Sequence, residues 1–329
     1  VDPMTDLLRG VRANGAVLRQ SMTAPPWCWA NADAAPLSLY VLLRGDAWVV
    51  PDRAEPRQLS AGDIAIVRGP HPHRVADAPD TPPQVTIHAA RHCTGVTDGR
   101  PVPEAESPRL GPRLFGEAHD APVSLVTGAY DGGGDVGRLL LDALPDVCVV
   151  PARPDGPSTA LTLLTEELAV SRPGQQLVLD RLLDLLLVSA MREWFERPEA
   201  RAPAWYRALG DPVAGPALRA MHRDPVRAWA VADLAAEAGV SRAAFARRFT
   251  EAVGTPPLAY LTRRRMDLAA DLLRRPGTTV SAAARRVGYT NAFAFSTAFK
   301  RTHGVSPGSL VADTPEEAGT PEEPGLVTP

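Results

Sequence analysis

The sequence predicts an α+β multidomain protein: a sheet-built first part backed by a pair of helices, then an all-α part carrying two helix-turn-helix motifs. Three observations carry that expectation. Residues 25–150 break into short apolar runs between Pro, Gly and Asp clusters, the pattern of a sandwich or small barrel. From Ser158 the apolar spacing changes to three and four residues, as on one face of a helix. The C-terminal third then contains one helix–turn–helix pattern twice.

Taken in order, the runs at 37–43, 47–50, 64–67 and 85–89 read as strands. Turns are expected at Arg44-Gly45-Asp46, Ala61-Gly62-Asp63 and Gly69-Pro70. Prolines crowd 101–112 and Gly132-Gly133-Gly134 follows, so two exposed loops are expected there. The barrel is assigned to 1–150 and a helical packing or dimerisation segment to 151–197. In that segment Arg172-Pro173-Gly174 ends one helix, 158–171, and restarts another, 174–195. Leu179, Leu182, Leu183, Leu186, Ala190, Met191 and Trp194 form a stripe on the second helix. Two uses of that stripe stay open, a homodimer contact and packing within its own chain. Residues 198–212 read as a linker, 213–313 as the all-α domain, and 314–329, with four Pro and four Glu, as a disordered tail.

Composition bounds the function. With 329 residues, 45 % apolar and 22 % charged, the chain is long enough for more than one core. No apolar run nears the roughly 20 residues of a membrane helix; the greasiest stretch, 182–190, holds Asp184 and Ser189. The opening Val1-Asp2-Pro3-Met4-Thr5-Asp6 lacks the basic-then-apolar pattern of a secretory leader, so a cytoplasmic location is expected. Cys28, Cys93 and Cys148 are odd in number and far apart, which excludes a disulfide framework and points to buried, inert thiols.

The net charge of −3 hides an asymmetry. Residues 1–210 carry 20 basic and 26 acidic groups, whereas 211–313 carry 15 basic and 8 acidic. A basic segment on an acidic body suggests nucleic acid as its partner.

The repeat makes that partner specific. Leu234-Ala235-Ala236-Glu237-Ala238-Gly239-Val240-Ser241, then Phe245, Phe249, Gly254 and Pro257, is echoed by Ala283-Ala284-Arg285-Arg286-Val287-Gly288-Tyr289-Thr290-Asn291, then Phe295, Phe299, Gly304 and Pro307. From the phenylalanines onward the offset is 50 residues at four successive positions. In each copy the paired phenylalanines pin a second helix onto the first and leave its other face to DNA. The outward candidates are Arg242, Ala243, Ala246, Arg247 and Thr250 in the first copy. In the second they are Asn291, Ala292, Phe293, Ser296, Thr297 and Lys300. Arginine suits guanine in the major groove; Lys, Ser and Thr suit bases or phosphates. A helix from Pro257 towards Arg274-Arg275-Pro276 joins the copies. About 18 residues at ~1.5 Å give ~27 Å, near the ~34 Å between successive major-groove faces. Of Arg263, Arg264 and Arg265 at least one should meet phosphate, and Arg264 is taken as the candidate.

Residues 219–310 resemble the DNA-binding domain of the AraC/XylS family of bacterial transcriptional regulators. The resemblance rests on Val287-Gly288-Tyr289, Phe295, Ala298-Phe299-Lys300-Arg301 and Gly304-Val305-Ser306-Pro307. In the first copy it rests on Trp229, Leu234-Ala235, Gly239-Val240-Ser241, Phe245, Phe249 and Gly254. One departure is Ala230, where the family usually has a capping hydroxyl, as Thr279 supplies in the second copy. The resemblance implies double-stranded DNA as partner, a homodimer, RNA polymerase as a further partner, and activation as the output.

The runs 39–45 and 59–67, with Pro72-His73-Arg74 and Leu139-Leu140…Ala143-Leu144-Pro145, resemble the cupin-like sensor barrel attached to many AraC-type regulators. A metal-dependent cupin oxygenase or isomerase is the alternative function. It would need a His-x-His pair, a carboxylate and a later His. Tyr40 and Leu37-Ser38-Leu39 supply no such ligands and only His73 stands in place, so no metal, no cofactor and no enzyme are expected. A small-molecule effector could occupy the barrel mouth, with Trp27, Trp29, Tyr40, Trp48 and His73 as candidate pocket residues. Their other role is to fill the core.

Overall fold

The computed structural model describes residues 2–8, 18–32, 35–88, 92–95, 101–102, 110, 113–116, 118–130, 137 and 140–311. The chain divides into two compact units. One is built of Pro3–Gly133 and Gly137–Arg207, the other mainly of Ala208–Pro329. The loops expected at 101–112 and 132–134 fall largely outside the described residues, and the tail 314–329 wholly so. Among the described residues no helix is long and apolar enough to cross a membrane.

In the first unit the punctuated strands form two sheets. One runs Leu114–Gly116, Leu18–Thr23, Val123–Tyr130, Leu37–Arg44, Ile64–Arg68, Val147–Val150. The other runs Pro101–Val102, His92–Gly95, Val85–His88, Cys28–Asn31, His73–Ala76, Asp46–Pro51, Arg57–Ser60. Gly45 turns the chain from one sheet into the other at φ 81°. A Cβ there would meet the Pro122 carbonyl at 2.7 Å, so two separate constraints require glycine.

Strand alternation sets the core. Tyr40, Leu42, Val49, Leu59, Val75 and Leu125 point inward from both sheets into one apolar cluster. Leu39 and Val41, on the opposite face of the Leu37–Arg44 strand, are buried as well. That outer face of the first sheet carries helices. The Gln175–Phe195 helix packs on the Ile64–Arg68 and Val147–Val150 strands. Gly128 lets Leu183 come close, since a Cβ there would lie 3.1 Å from its Cδ2. The Tyr130 hydroxyl donates to the Leu183 carbonyl at 2.8 Å.

The helical pair starts where the capping signals are. Ser158 Oγ accepts from the Leu161 amide at 3.3 Å and opens Thr159–Leu168. Gly174, at φ 78°, opens Gln175–Phe195. Leu179, Leu183, Leu186, Ala190 and Met191 are buried inside their own unit. Of the two uses open for the stripe, packing within its own chain takes these five residues, while Leu182 and Trp194 are half-buried. Leu177, Val178 and Leu185 stand exposed on the same helix, with Leu163 exposed on its neighbour.

The stretch 198–212, expected as a linker, instead carries a helix, Ala204–Ala208, with Trp205 and Ala208 buried. Two aromatics there had no periodic partner to announce a helix. The second unit is all helical: Ala214–Arg223, Val231–Glu237, Arg242–Val253, Pro257–Leu273, Val280–Arg286, Ala292–His303 and a short 3-10 turn, Pro307–Leu310.

Candidate nucleic-acid interface

Each copy of the repeat folds as its spacing requires. Phe245 and Phe249 are fully buried, their rings 5.6 Å apart; Phe295 and Phe299 repeat both features. Leu234 and Ala235 receive the first pair. Ala283, Ala284, Val287 and the connector's Met266, Ala269 and Leu273 receive the second. Each reading helix is capped at both ends. Ser241 Oγ accepts from Ala244 N at 3.3 Å, and Asn291 Oδ1 accepts from Phe293 N and Ala294 N at 2.8 and 3.2 Å. Gly254 and Gly304 close the helices in the left-handed region, at φ 80° and 75°.

Asn291 is expected from the sequence as a DNA contact. Its side-chain oxygen is occupied by the cap, so the residue orients the second reading helix. The other outward residues lie on the face opposite the phenylalanines. Arg242, Ala243 and Arg247 are exposed in the first copy, with Ala246 and Thr250 half-buried. Thr250 donates its hydroxyl to the Ala246 carbonyl at 2.8 Å, which leaves it a weak reader. Arg247 reaches Glu251 at 3.5 Å, with both side chains mostly in solvent, so DNA would displace this pair at little cost. In the second copy Ala292, Phe293, Thr297 and Lys300 are exposed and Ser296 is half-buried.

The three connector arginines separate. Arg264, the expected phosphate contact, is 3 % exposed and faces the interior, which removes it from the interface. Arg264 lies four residues after buried Tyr260 and three after buried Leu261, which sets it on the helix face that turns inward. Arg265 donates to the carbonyls of Pro225, Val226 and Arg227 at 2.6, 3.3 and 2.8 Å, fastening the preceding loop to the connector. Burial lowers its pKa from the ordinary value. Arg263 is the exposed member.

Within the loop, Arg227 stacks on Trp229 with its guanidinium carbon 4.0 Å from the ring centroid, and Trp229 Nε1 donates to the Asp224 carbonyl at 2.8 Å. Gly288 turns against this loop: its φ is 83°, and a Cβ would meet the Val226 carbonyl at 2.7 Å. Gly239, in the first copy, has φ 67° and open space where a Cβ would lie. At Ala230 no side chain caps the first helix, but Asp233 accepts the Ala230 N–H at 2.9 Å, which supplies half of a capping box.

In the first unit the expected pocket residues do other work. Trp27 and Tyr40 belong to the core cluster and Trp29 packs on it. Trp48 alternates with the core residues Ala47 and Val49, so it points to the other face of its sheet. The Tyr40 hydroxyl lies 2.7 Å from Nε2 of buried His73. Burial pushes the His73 pKa down to about 4 and the Tyr40 hydroxyl up. A neutral imidazole accepting from Tyr40 satisfies both groups.

An open cleft lies elsewhere, where the helical pair meets the edge of the first sheet. Its volume is about 850 Å³. Leu42, Leu161, Leu186 and Ala190 line its apolar side, and Ser158, Thr162, Ser189, Arg192 and Glu193 add polar groups. None of the five aromatic and histidine candidates lines it. The cleft combines segments more than a hundred residues apart, which no local pattern signals. Cys28 and Cys148 are buried, and burial raises both thiols, Cys148 to about 12. The Cys93 side chain lies outside the described residues. Among the described residues no three His, Cys, Asp or Glu side chains converge as metal ligands.

Comparison with known proteins adds to this geometry. Residues 2–196 match the family described as Cupin, and residues 234–312 match the Helix-turn-helix domain family. The chain is 33 % identical over 312 residues to a protein named as an AraC-like transcription regulator from Streptomyces lividans, covering 94 % of this chain and 97 % of that one. It is 38 % identical over 213 residues to one so named from Streptomyces antibioticus, covering 61 % and 70 %. Among solved structures, the DNA-binding domain of AdpA in complex with a target DNA shares 33 % identity. That match covers 30 % of this chain and 89 % of that one, with a TM-score of 0.28.

Proposed function

Because the chain belongs to the AraC-like transcription regulators, we propose that its two reading helices enter successive major grooves of one duplex. The observation that carries this is the pair of capped helices, each pinned by two buried phenylalanines and each turning a solvent-exposed face outward. Arg242, Arg247 and Lys300 supply charge on those faces, and Arg263 adds a phosphate contact from the connector. The connector, Pro257–Leu273, has 17 residues, about 25 Å of rigid helix. That length suits two grooves on one side of the DNA.

The test is a titration of the full chain against duplexes enriched from a random pool. Binding should fall steeply with salt, as counterion release requires. No enriched sequence, or an affinity indifferent to salt, would reject the reading.

A homodimer is proposed through the face of the helical pair that exposes Leu163, Leu177, Val178 and Leu185. Sedimentation of the full chain as a monomer at micromolar concentration would reject it. The small-molecule input is assigned to the cleft beside the helical pair rather than to the barrel aromatics, because that cleft offers an open apolar surface with polar groups around it. A regulatory role rather than an enzymatic one agrees with the names of the relatives.

A further inference from the structure

We propose that Phe293 reads the 5-methyl group of a pyrimidine, thymine in ordinary DNA, at the start of the second reading helix; the inference rests on the DNA-binding reading above. Phe293 is 82 % exposed, and the next most exposed large apolar residue among those described is Leu177 at 60 %. An aromatic ring held in water gains free energy only when something apolar covers it. Phe293 precedes the buried Phe295 by two residues, about 200° around the helix, which points it away from the core. It heads the outward stripe that continues through Thr297 and Lys300.

Its neighbours allow close approach to a groove floor. Ala292 and Ala294 are exposed and small. The amides of residues 293 and 294 are already held by Asn291, so the helix start is fixed in place. Major-groove base edges present hydrogen-bonding groups and one apolar group, the C5-methyl of thymine. A phenyl ring can hydrogen-bond to none of the former and pack on the latter. At the corresponding position of the first copy, 50 residues earlier, stands Ala243, which cannot reach as far.

The experiment uses the full chain and the duplex it selects from a random pool. Each thymine under the second helix is replaced singly by deoxyuridine, which removes the methyl and nothing else. One or two positions should bind about fourfold more weakly, the value of burying one methyl group. At the same positions 5-methylcytosine should bind better than cytosine by a similar factor. Phe293→Ala should erase both differences, weakening the thymine duplex about fourfold more than the deoxyuridine one. The residue is exposed, so this change leaves the core intact.

Equal affinity for thymine and deoxyuridine at every position would overturn the proposal, as would a methyl preference that survives Phe293→Ala. Phe293→Ala weakening both duplexes equally would also overturn it, assigning the ring to general apolar contact. Failure of the underlying reading looks different, since no duplex would then be selected at all.

Discussion

At the second position of each reading helix the two copies carry Ala243 and Phe293, and at the sixth they carry Arg247 and Thr297. The bulkier member of each pair sits at the sixth position in the first helix and at the second position in the other. Behind these faces the copies are nearly superimposable in logic: buried phenylalanines four residues apart, a side-chain cap before the helix, a left-handed glycine after it. The contrast shows that one packing solution leaves the opposite face free to vary. The inward residues must fill a fixed space, whereas the outward ones answer to whatever lies in the groove. The copies also differ in support. The second has a hydroxyl cap at Thr279 and a turn pressed against the Val226 loop; the first has Ala230 and an open turn.

The largest expected effect tests that support. Gly288→Ala should cost about 3 kcal/mol, because left-handed strain adds to a backbone clash. Gly239→Ala meets the strain alone and should cost about 1 kcal/mol. Calorimetry on both variants checks this; equal losses would mean the two turns are equivalent.

Acid should act on the other unit through His73. His73 is held neutral in the fold with a pKa of about 4, and the unfolded chain takes up its proton below its ordinary value near 6.5. The unfolded state therefore binds more protons between these values. The contribution is complete above pH 6.5 and is lost as the pH falls towards 4, by up to about 3 kcal/mol. His73→Gln should flatten that slope in denaturation curves recorded across this range.

Arg247→Ala should cost about 1–3 kcal/mol on the preferred duplex and flatten discrimination at one base pair. Ser296→Ala and Thr297→Ala should cost less. Binding selection by each variant decides between them, and a Ser296→Ala that loses base preference while Arg247→Ala keeps it would reverse the assignment. Ala230→Thr should stabilise the first copy by about 1 kcal/mol at most, since Asp233 already provides half of the box. Arg263→Ala should weaken all sequences alike and lower the salt slope by about one unit. Arg264→Ala should leave the salt slope alone and lower thermal stability instead, because its side chain is packed inside.

What the sequence made legible follows from these differences. The phenylalanine pairs and the turn glycines carry short-range patterns, and the helices expected over 158–171 and 174–195 are found at Thr159–Leu168 and Gln175–Phe195. Within the connector the arginine run alone does not distinguish its members, but Arg264 follows Tyr260 and Leu261 at helical spacing and shares their inward face. Trp27 and Tyr40 looked like pocket residues because an aromatic serves a cavity and a core equally well. The cleft had no local signal at all, being assembled from a sheet edge and two helices. Phe293 was visible as an outward residue, but its use depended on knowing how little else touches it.

One chain is proposed to read two boxes, each through its own helix. Binding selection on a randomised duplex by the parent, Arg247→Ala and Phe293→Ala tests it most directly. The expected result is two boxes about one helical turn apart, with Arg247→Ala erasing a guanine preference in one and Phe293→Ala a thymine preference in the other. A single box, or two variants that erase the same position, would contradict it.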